Sequence, residues 1–143
     1  MDSIDNTLIR ELASDARTSV STLARRLGLA RTTVQARLER LERTGVIAGY
    51  TVKLGDATQL NRIKATVLVQ FDPRSGPQVV QRLKNIPEVE VAHTASGRFD
   101  LVLQLATDST ARLDQVLDEI GAISGVRSSE SLIHLSTKID RAI

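Results

Sequence analysis

Seven arginines lie between Arg17 and Arg43 (Arg17, Arg25, Arg26, Arg31, Arg37, Arg40 and Arg43), against two glutamates, Glu39 and Glu42. Guanidinium groups at that density suit bidentate contacts to phosphates and base edges better than ammonium groups would, so the chemistry they indicate is polyanion binding. Taken alone, the same charge also fits a solvated helical face. The whole chain conceals the asymmetry: its 143 residues hold 19 basic and 17 acidic side chains, a net charge of +2. Residues 1–54 hold nine basic and six acidic groups, net +3, and the remainder ten and eleven, net −1.

Other chemistry is thinly represented. There is no cysteine, which removes disulfides, zinc fingers, iron–sulfur clusters and thiol catalysis. The two histidines, His93 and His134, stand far apart, and Asp72, Asp100, Asp108 and Asp114 have no metal-ligand spacing. With no glycine-rich phosphate loop and no Ser/His/Asp arrangement, no catalytic residue, metal site or cofactor is expected. Aromatic residues make up 2% of the chain, too few for a surface that stacks unpaired bases. At 41% hydrophobic and 25% charged residues the composition is that of a folded globular protein. The start, Met1-Asp2-Ser3-Ile4-Asp5, is acidic, and no apolar run approaches membrane-spanning length, so a soluble cytoplasmic protein with no membrane partner is expected.

The elements that would position the arginines follow from periodicity. Asp2 can cap a helix over about residues 3–14, with Leu8, Ile9 and Leu12 on its apolar side and Asp5 in its first turn. Ser19 can cap a second that buries Val20, Leu23, Ala24 and Leu27 and stops at Gly28. A third, about 31–44, turns Val34, Leu38 and Leu41 inward. Its outer face then holds Thr32, Thr33, Ala36, Arg40 and Arg43, flanked by Arg31, Gln35 and Arg37. Two short helices around a tight glycine turn, after a first, read as a helix-turn-helix for double-stranded DNA. Arg31 and Gln35 have base-reading chemistry, small Thr32, Thr33 and Ala36 permit close approach, and Arg37, Arg40, Arg17 and Arg25 can hold phosphates. Val46 to Lys53 is rich in β-formers and reads as a strand or wing.

Beyond an irregular stretch from Gly55 to Asn61, strands are expected at 64–71, 89–95, 99–105 and about 126–136. Helices are expected after Pro77, ending before Pro87, and at 109–123. That order is βαββαβ, a ferredoxin-like split unit whose helices cover one face of the sheet and leave the other for a partner subunit. The expected class is α+β: a winged helix-turn-helix over 1–50, a strand or linker over 51–62 and the βαββαβ domain over 63–143.

Asp2-Ser3-Ile4-Asp5, Leu23-Ala24-Arg25-Arg26-Leu27-Gly28-Leu29, Val34 to Glu42, Gly45 to Tyr50 and Ser96-Gly97-Arg98-Phe99-Asp100 together resemble the Lrp/AsnC (feast/famine) regulators, in register over nearly the whole chain. Ala30 departs from the serine that usually caps the recognition helix, leaving Thr32 or Thr33 to cap it or the helix start to fray until DNA orders it. Ser96 stands where a threonine is common. The resemblance implies a RAM-type C-terminal domain that dimerises through its sheet, assembles further into tetramers or octamers, and binds an amino-acid-like effector between dimers. Carried to this chain, it places the effector at Gly97, Arg98 and Asp100, with His93, Thr94, Ala95 and Ser96 before them and Leu132, Ile133 and His134 on the last strand. Asp100 can pair with an α-ammonium, Gly97 can bring backbone N–H groups to a carboxylate, and Ser96 or Thr94 can add hydroxyl bonds. Equally, Asp100 can be a turn residue, Gly97 purely conformational, Arg98 solvated and His134 packed. The function implied is a sequence-specific transcription regulator; an architectural DNA-binding protein without an effector is the alternative.

Overall fold

Asp2 opens the first helix of the structure, a computed structural model that describes residues 1–59 and 62–143. Two units are present, one of Met1–Lys53 with Arg141–Ile143 and one of Leu54–Asp140. In the first, α1 (Ser3–Ser14), α2 (Val20–Leu27) and α3 (Arg31–Arg43) follow the apolar spacing. A capping box starts α1: the Asp2 carboxylate accepts from the Asp5 N–H at 2.9 Å and the Asp5 carboxylate accepts from the Asp2 N–H at 3.4 Å. Ser19 Oγ accepts from the Thr22 N–H at 3.1 Å to start α2, and Gly28, in the left-handed region at φ 68°, ends it. Leu8, Leu12, Leu23, Ala24, Val34 and Leu38 form the core between the helices, with Ile4, Val20, Leu27, Leu29 and Ile47 packed around it.

The expected wing is not a strand. Residues 46–53 run without regular structure, fixed by the Ile47 N–H to the Leu41 carbonyl at 3.0 Å and by Tyr50 Oη donating to Glu42 at 2.8 Å. A β-forming sequence makes a ladder only against a second strand, and this unit offers none among its described residues.

The second unit begins with a helical turn, α4 (Asp56–Gln59), inside the stretch expected to be irregular. It continues as β1 (Ile63–Phe71), a 3-10 turn (Pro73–Ser75), α5 (Gly76–Leu83), β2 (Val89–Thr94), β3 (Leu101–Thr107), α6 (Thr110–Gly121) and β4 (Val126–Ile133). The strands pair antiparallel in the order β2-β3-β1-β4, the expected split unit. Boundaries move by a few residues. Strand β3 starts at Leu101 because the Asp100 main chain is used to close the hairpin loop, its carbonyl accepting from Ala95 N–H at 2.9 Å and its N–H donating to the Val69 carbonyl at 2.8 Å. Strand β4 ends at Ile133, opposite Ala65 and short of Ser136, with one further bond from the His134 N–H to the Lys64 carbonyl.

Alternation divides the sheet. Ala65, Val67 and Val69 of β1 and Leu101, Leu103 and Leu105 of β3 face the helices, where Val79, Leu83, Leu113, Val116 and Ile120 close a fully buried core. Arg112 ties α6 to the start of β2 through a two-pronged pair with Glu88 at 2.8 and 3.0 Å, and reaches Glu119 at 3.1 Å. The opposite face carries Thr66, Leu68, Val102 and Gln104, half-exposed, with Leu132 and His93 exposed beside them. Thr66 Oγ1 stands at its centre, donating to Gln104 Oε1 at 3.1 Å and lying 2.7 Å from His134 Nε2. Strand β4 is exposed on both faces from Arg127 onward. No helix among the described residues is long and apolar enough to cross a membrane.

Gly125 is the most crowded glycine of this unit: its φ is 98°, and a Cβ there would overlap the Ser75 side chain. Gly125→Ala is expected to lower the free energy of unfolding by about 2 kcal/mol or more, read from the urea midpoint, and Ser75→Gly in the same chain to return part of the loss.

Candidate nucleic-acid interface and effector loop

Helix α3 carries the candidate DNA-reading residues, and five of them, Arg31, Thr32, Thr33, Gln35 and Ala36, are exposed along its N-terminal half. Its start is bare. Ala30 at the N-cap makes no side-chain bond, and neither Thr32 nor Thr33 caps in its place. The first bond into the helix is from the Val34 N–H to the Ala30 carbonyl, so the N–H groups of residues 31–33 point outward without a protein acceptor among the described residues. The helix nonetheless begins at Arg31, with no frayed turn. Gln35 donates to Glu39 at 3.0 Å, an (i, i+4) bond that a base edge would have to displace. Arg17 and Arg25 are exposed on the preceding segments, and Arg43, on the outer face at the end of α3, is exposed too.

Arg37 departs from its expected role. Its Nη1 donates to both Asp2 oxygens at 2.9 and 2.7 Å and to Asp5 Oδ1 at 3.0 Å, and its side chain is only 21% exposed. Arg40 Nη2 takes the other Asp5 oxygen at 2.9 Å but remains half-exposed. Asp5 itself is buried, and it stays ionised because two guanidinium groups converge on it. Burial pushes the Asp5 carboxyl up, but the hydrogen bonds from Arg37 and the Asp2 N–H outweigh it and the net direction is down. Asp2 is held down to about 2, first by the Asp5 N–H and then by Arg37. The charge signal in the sequence counted Arg37 and Arg40 as available cations. The capping pair at the start of α1, which the sequence also displayed, is what engages them.

The candidate effector residues fall into two groups. Thr94, Ser96, Gly97, Arg98 and Asp100 share the β2–β3 loop and its flanks, at the end of β1 occupied by Val69 to Phe71. Gly97 is in the left-handed region at φ 111°. Arg98 is largely exposed, reaches Glu130 at 3.5 Å and lies 5.0 Å from the centre of the Phe99 ring. Asp100 Oδ2 accepts from the Phe71 N–H at 3.0 Å, so one of its oxygens secures the loop to β1. Leu132, Ile133 and His134 lie at the opposite end of β1, where Ile133 pairs with Ala65 and the His134 N–H donates to the Lys64 carbonyl at 2.9 Å. From Ala65 to Phe71 is six residues of strand, roughly 20 Å, so one chain does not bring the two groups together.

Comparison with known proteins agrees with this architecture. Residues 1–42 match the AsnC-type helix-turn-helix domain and residues 64–143 the Lrp/AsnC ligand binding domain. An HTH-type transcriptional regulator, LrpA, of Mycobacterium tuberculosis is 34% identical over 134 residues, covering 93% of this chain and 89% of its own. The structure of a feast or famine regulatory protein from M. tuberculosis complexed with L-methionine is similar at a TM-score of 0.86 and 35% identity, over 99% of this chain and 97% of that one. That of Escherichia coli AsnC, at 23% identity, shares the fold at a TM-score of 0.90 over 100% and 97%.

Because Asp2 and Asp5 titrate lower in the folded chain than in the unfolded one, their stabilisation is complete above about pH 4 and is lost as pH falls through the folded value, about 2 for Asp2. In thermal melts the wild-type chain is expected to exceed Asp2→Asn in Tm at pH 7 and pH 4, and the difference to shrink toward zero at pH 2.

Proposed function

The chain belongs to the Lrp/AsnC family of transcriptional regulators, and from that premise we propose that it binds double-stranded DNA through α3 as a homodimer or larger assembly, under the control of an amino acid held by the Leu54–Asp140 unit. The observation that carries the DNA half is the outer face of α3: small Thr32, Thr33 and Ala36 bounded by exposed Arg31 and Arg43, with outward backbone N–H groups at its start. Small side chains let the helix approach base edges, and the flanking guanidinium groups reach a base edge from Arg31 and a phosphate from Arg43. Arg31 and Gln35 read bases; Arg17, Arg25, Arg40 and Arg43 contact phosphates.

The assembly follows from the second sheet face, whose Leu68, Val102 and Leu132 need a cover that a second copy can supply by two-fold pairing. Two copies also resolve the effector geometry, because the loop of one chain and the strand end of another can line one pocket. In it the loop N–H groups around Gly97 and the Arg98 guanidinium take the carboxylate, Asp100 takes the α-ammonium, Thr94 and Ser96 add hydroxyl bonds, and Leu132, Ile133 and His134 face the side chain. A methionine-bound relative supports an amino acid as the ligand class. An effector bound between dimers acts on DNA only through unequal affinity for the competing assemblies, which changes how their α3 helices are spaced. The cytoplasm is the compartment this function requires.

Fluorescence anisotropy against a duplex selected from a random pool tests the DNA half. Specific binding is expected; Arg43→Ala should flatten the salt slope by about one, and Arg31→Ala should lower the preference for the selected duplex over random ones. Equal affinity for selected and random duplexes would identify an architectural protein instead.

A thermal-shift series with the twenty amino acids tests the sensing half: at least one should raise Tm. Asp100→Asn keeps an acceptor for the Phe71 N–H but drops the charge, so it should abolish that shift while leaving the ligand-free Tm nearly unchanged. A full shift in Asp100→Asn would remove Asp100 from the site.

A further inference from the structure

Arg37 sits where a DNA contact is expected and is held elsewhere. Thr33, Arg37 and Arg40 occupy positions i, i+4 and i+7 of α3, so they form one ridge along the edge of the outer face. From that ridge a released Arg37 side chain reaches past the helix surface toward the same phosphates as its neighbours. In the free chain its Nη1 instead makes three contacts to carboxylate oxygens, two of them to Asp2. Asp5 does not need Arg37 for its charge to be matched, because Arg40 occupies its second oxygen. The Asp2 side chain is 52% exposed and lies at the same edge, so its charge also stands where a DNA backbone would come.

We propose that Asp2 sets the strength of DNA binding by holding Arg37 out of the phosphate contacts. Asp2 thus acts as a positioning residue with two jobs that can be separated. Its carboxylate caps α1 through the Asp5 N–H, a job that an asparagine oxygen does equally well. It also competes with phosphate for one guanidinium, and that job needs the negative charge. The competition keeps the affinity of a single chain below what its arginine count implies. Selective binding then depends on several chains assembled together, each contributing a modest share.

This inference rests on the DNA-binding reading, and the experiment keeps the two apart. The salt dependence of binding to the selected duplex is measured for the wild-type chain, Asp2→Asn, Arg37→Met and the double variant. Expected are a steeper slope for Asp2→Asn, by about one per bound chain, with tighter binding at low salt, since each added phosphate contact releases about one counterion. Arg37→Met in the wild-type background should leave the slope unchanged, and in the Asp2→Asn background it should erase the gain. A gain that survives in the double variant would show that Asp2 acts only as a repelling charge. A slope lowered by about one in Arg37→Met alone would show that Arg37 already contacts phosphate with Asp2 in place. Either result overturns the proposal, as does an unchanged slope in Asp2→Asn. Elution from a heparin column provides a readout independent of duplex recognition: Asp2→Asn should leave at higher salt than the wild type, and Arg37→Met should lower the elution salt only in the Asp2→Asn background. That pattern without any duplex binding would sink the DNA reading while keeping the Asp2–Arg37 competition; its absence from a chain that binds duplex would sink the competition alone.

Discussion

Asp5 is a buried carboxylate that keeps its charge, and the first unit is organised around satisfying it. Stripped of its guanidinium partners, such a group costs more than its interactions return, because the low-dielectric interior offers no water to replace them. Arg37 and Arg40 therefore have to sit on the side of α3 that faces the start of α1, and Asp2 has to begin the helix within reach of Arg37. Helix α1 can dock on α3 at only a few rotations that meet these conditions. The apolar core of Leu8, Leu23 and Val34 supplies most of the stabilisation without specifying a rotation so narrowly. The same charges that orient the helix against its neighbours determine which of its arginines are left for a ligand.

The second unit obeys a different constraint. A four-stranded sheet with two helices buries one face, and here the division is sharp: valines and leucines toward the helices, a mixture of Thr66, Gln104, Leu68 and Val102 on the other side. The polar members of that second face are bonded to one another through Thr66, so covering the face would not strand their hydrogen-bonding groups. Aliphatic side chains between them supply the area that makes covering favourable. A surface of this kind suits association that is specific and still reversible with solution conditions.

Much of this was legible in the sequence. The three N-terminal helices, their caps at Asp2, Ser19 and Gly28, and the βαββαβ order follow from periodicity and from a few residues with strong local preferences, because those preferences act within a turn or two of chain. The failures came where the outcome depends on something distant. Val46 to Lys53 has strand composition, but strand formation is decided by a pairing partner that composition does not reveal. Arg37 has the right position on a helical wheel for DNA, but its fate is decided by carboxylates thirty-two and thirty-five residues earlier in the chain. The effector residues were drawn from two stretches that pair with opposite ends of β1, a separation visible only once the register is known. Of the two readings of Asp100, the structure displays the one in which it secures the loop, through the oxygen that accepts from the Phe71 N–H.

Strand β4 is one of the two outer strands of the sheet, where a stray chain could add. Strand β4 has a free long edge, and its exposed residues run Arg127, Ser128, Ser129, Glu130 and Ser131 before any apolar side chain appears. Hydroxyls and paired charges along such an edge make indiscriminate strand-to-strand addition unrewarding, since an incoming strand would gain backbone bonds while desolvating Arg127 and Glu130 for nothing. The sheet is thus guarded along its β4 side against the strand-to-strand addition from which fibrils start, whatever becomes of its second face.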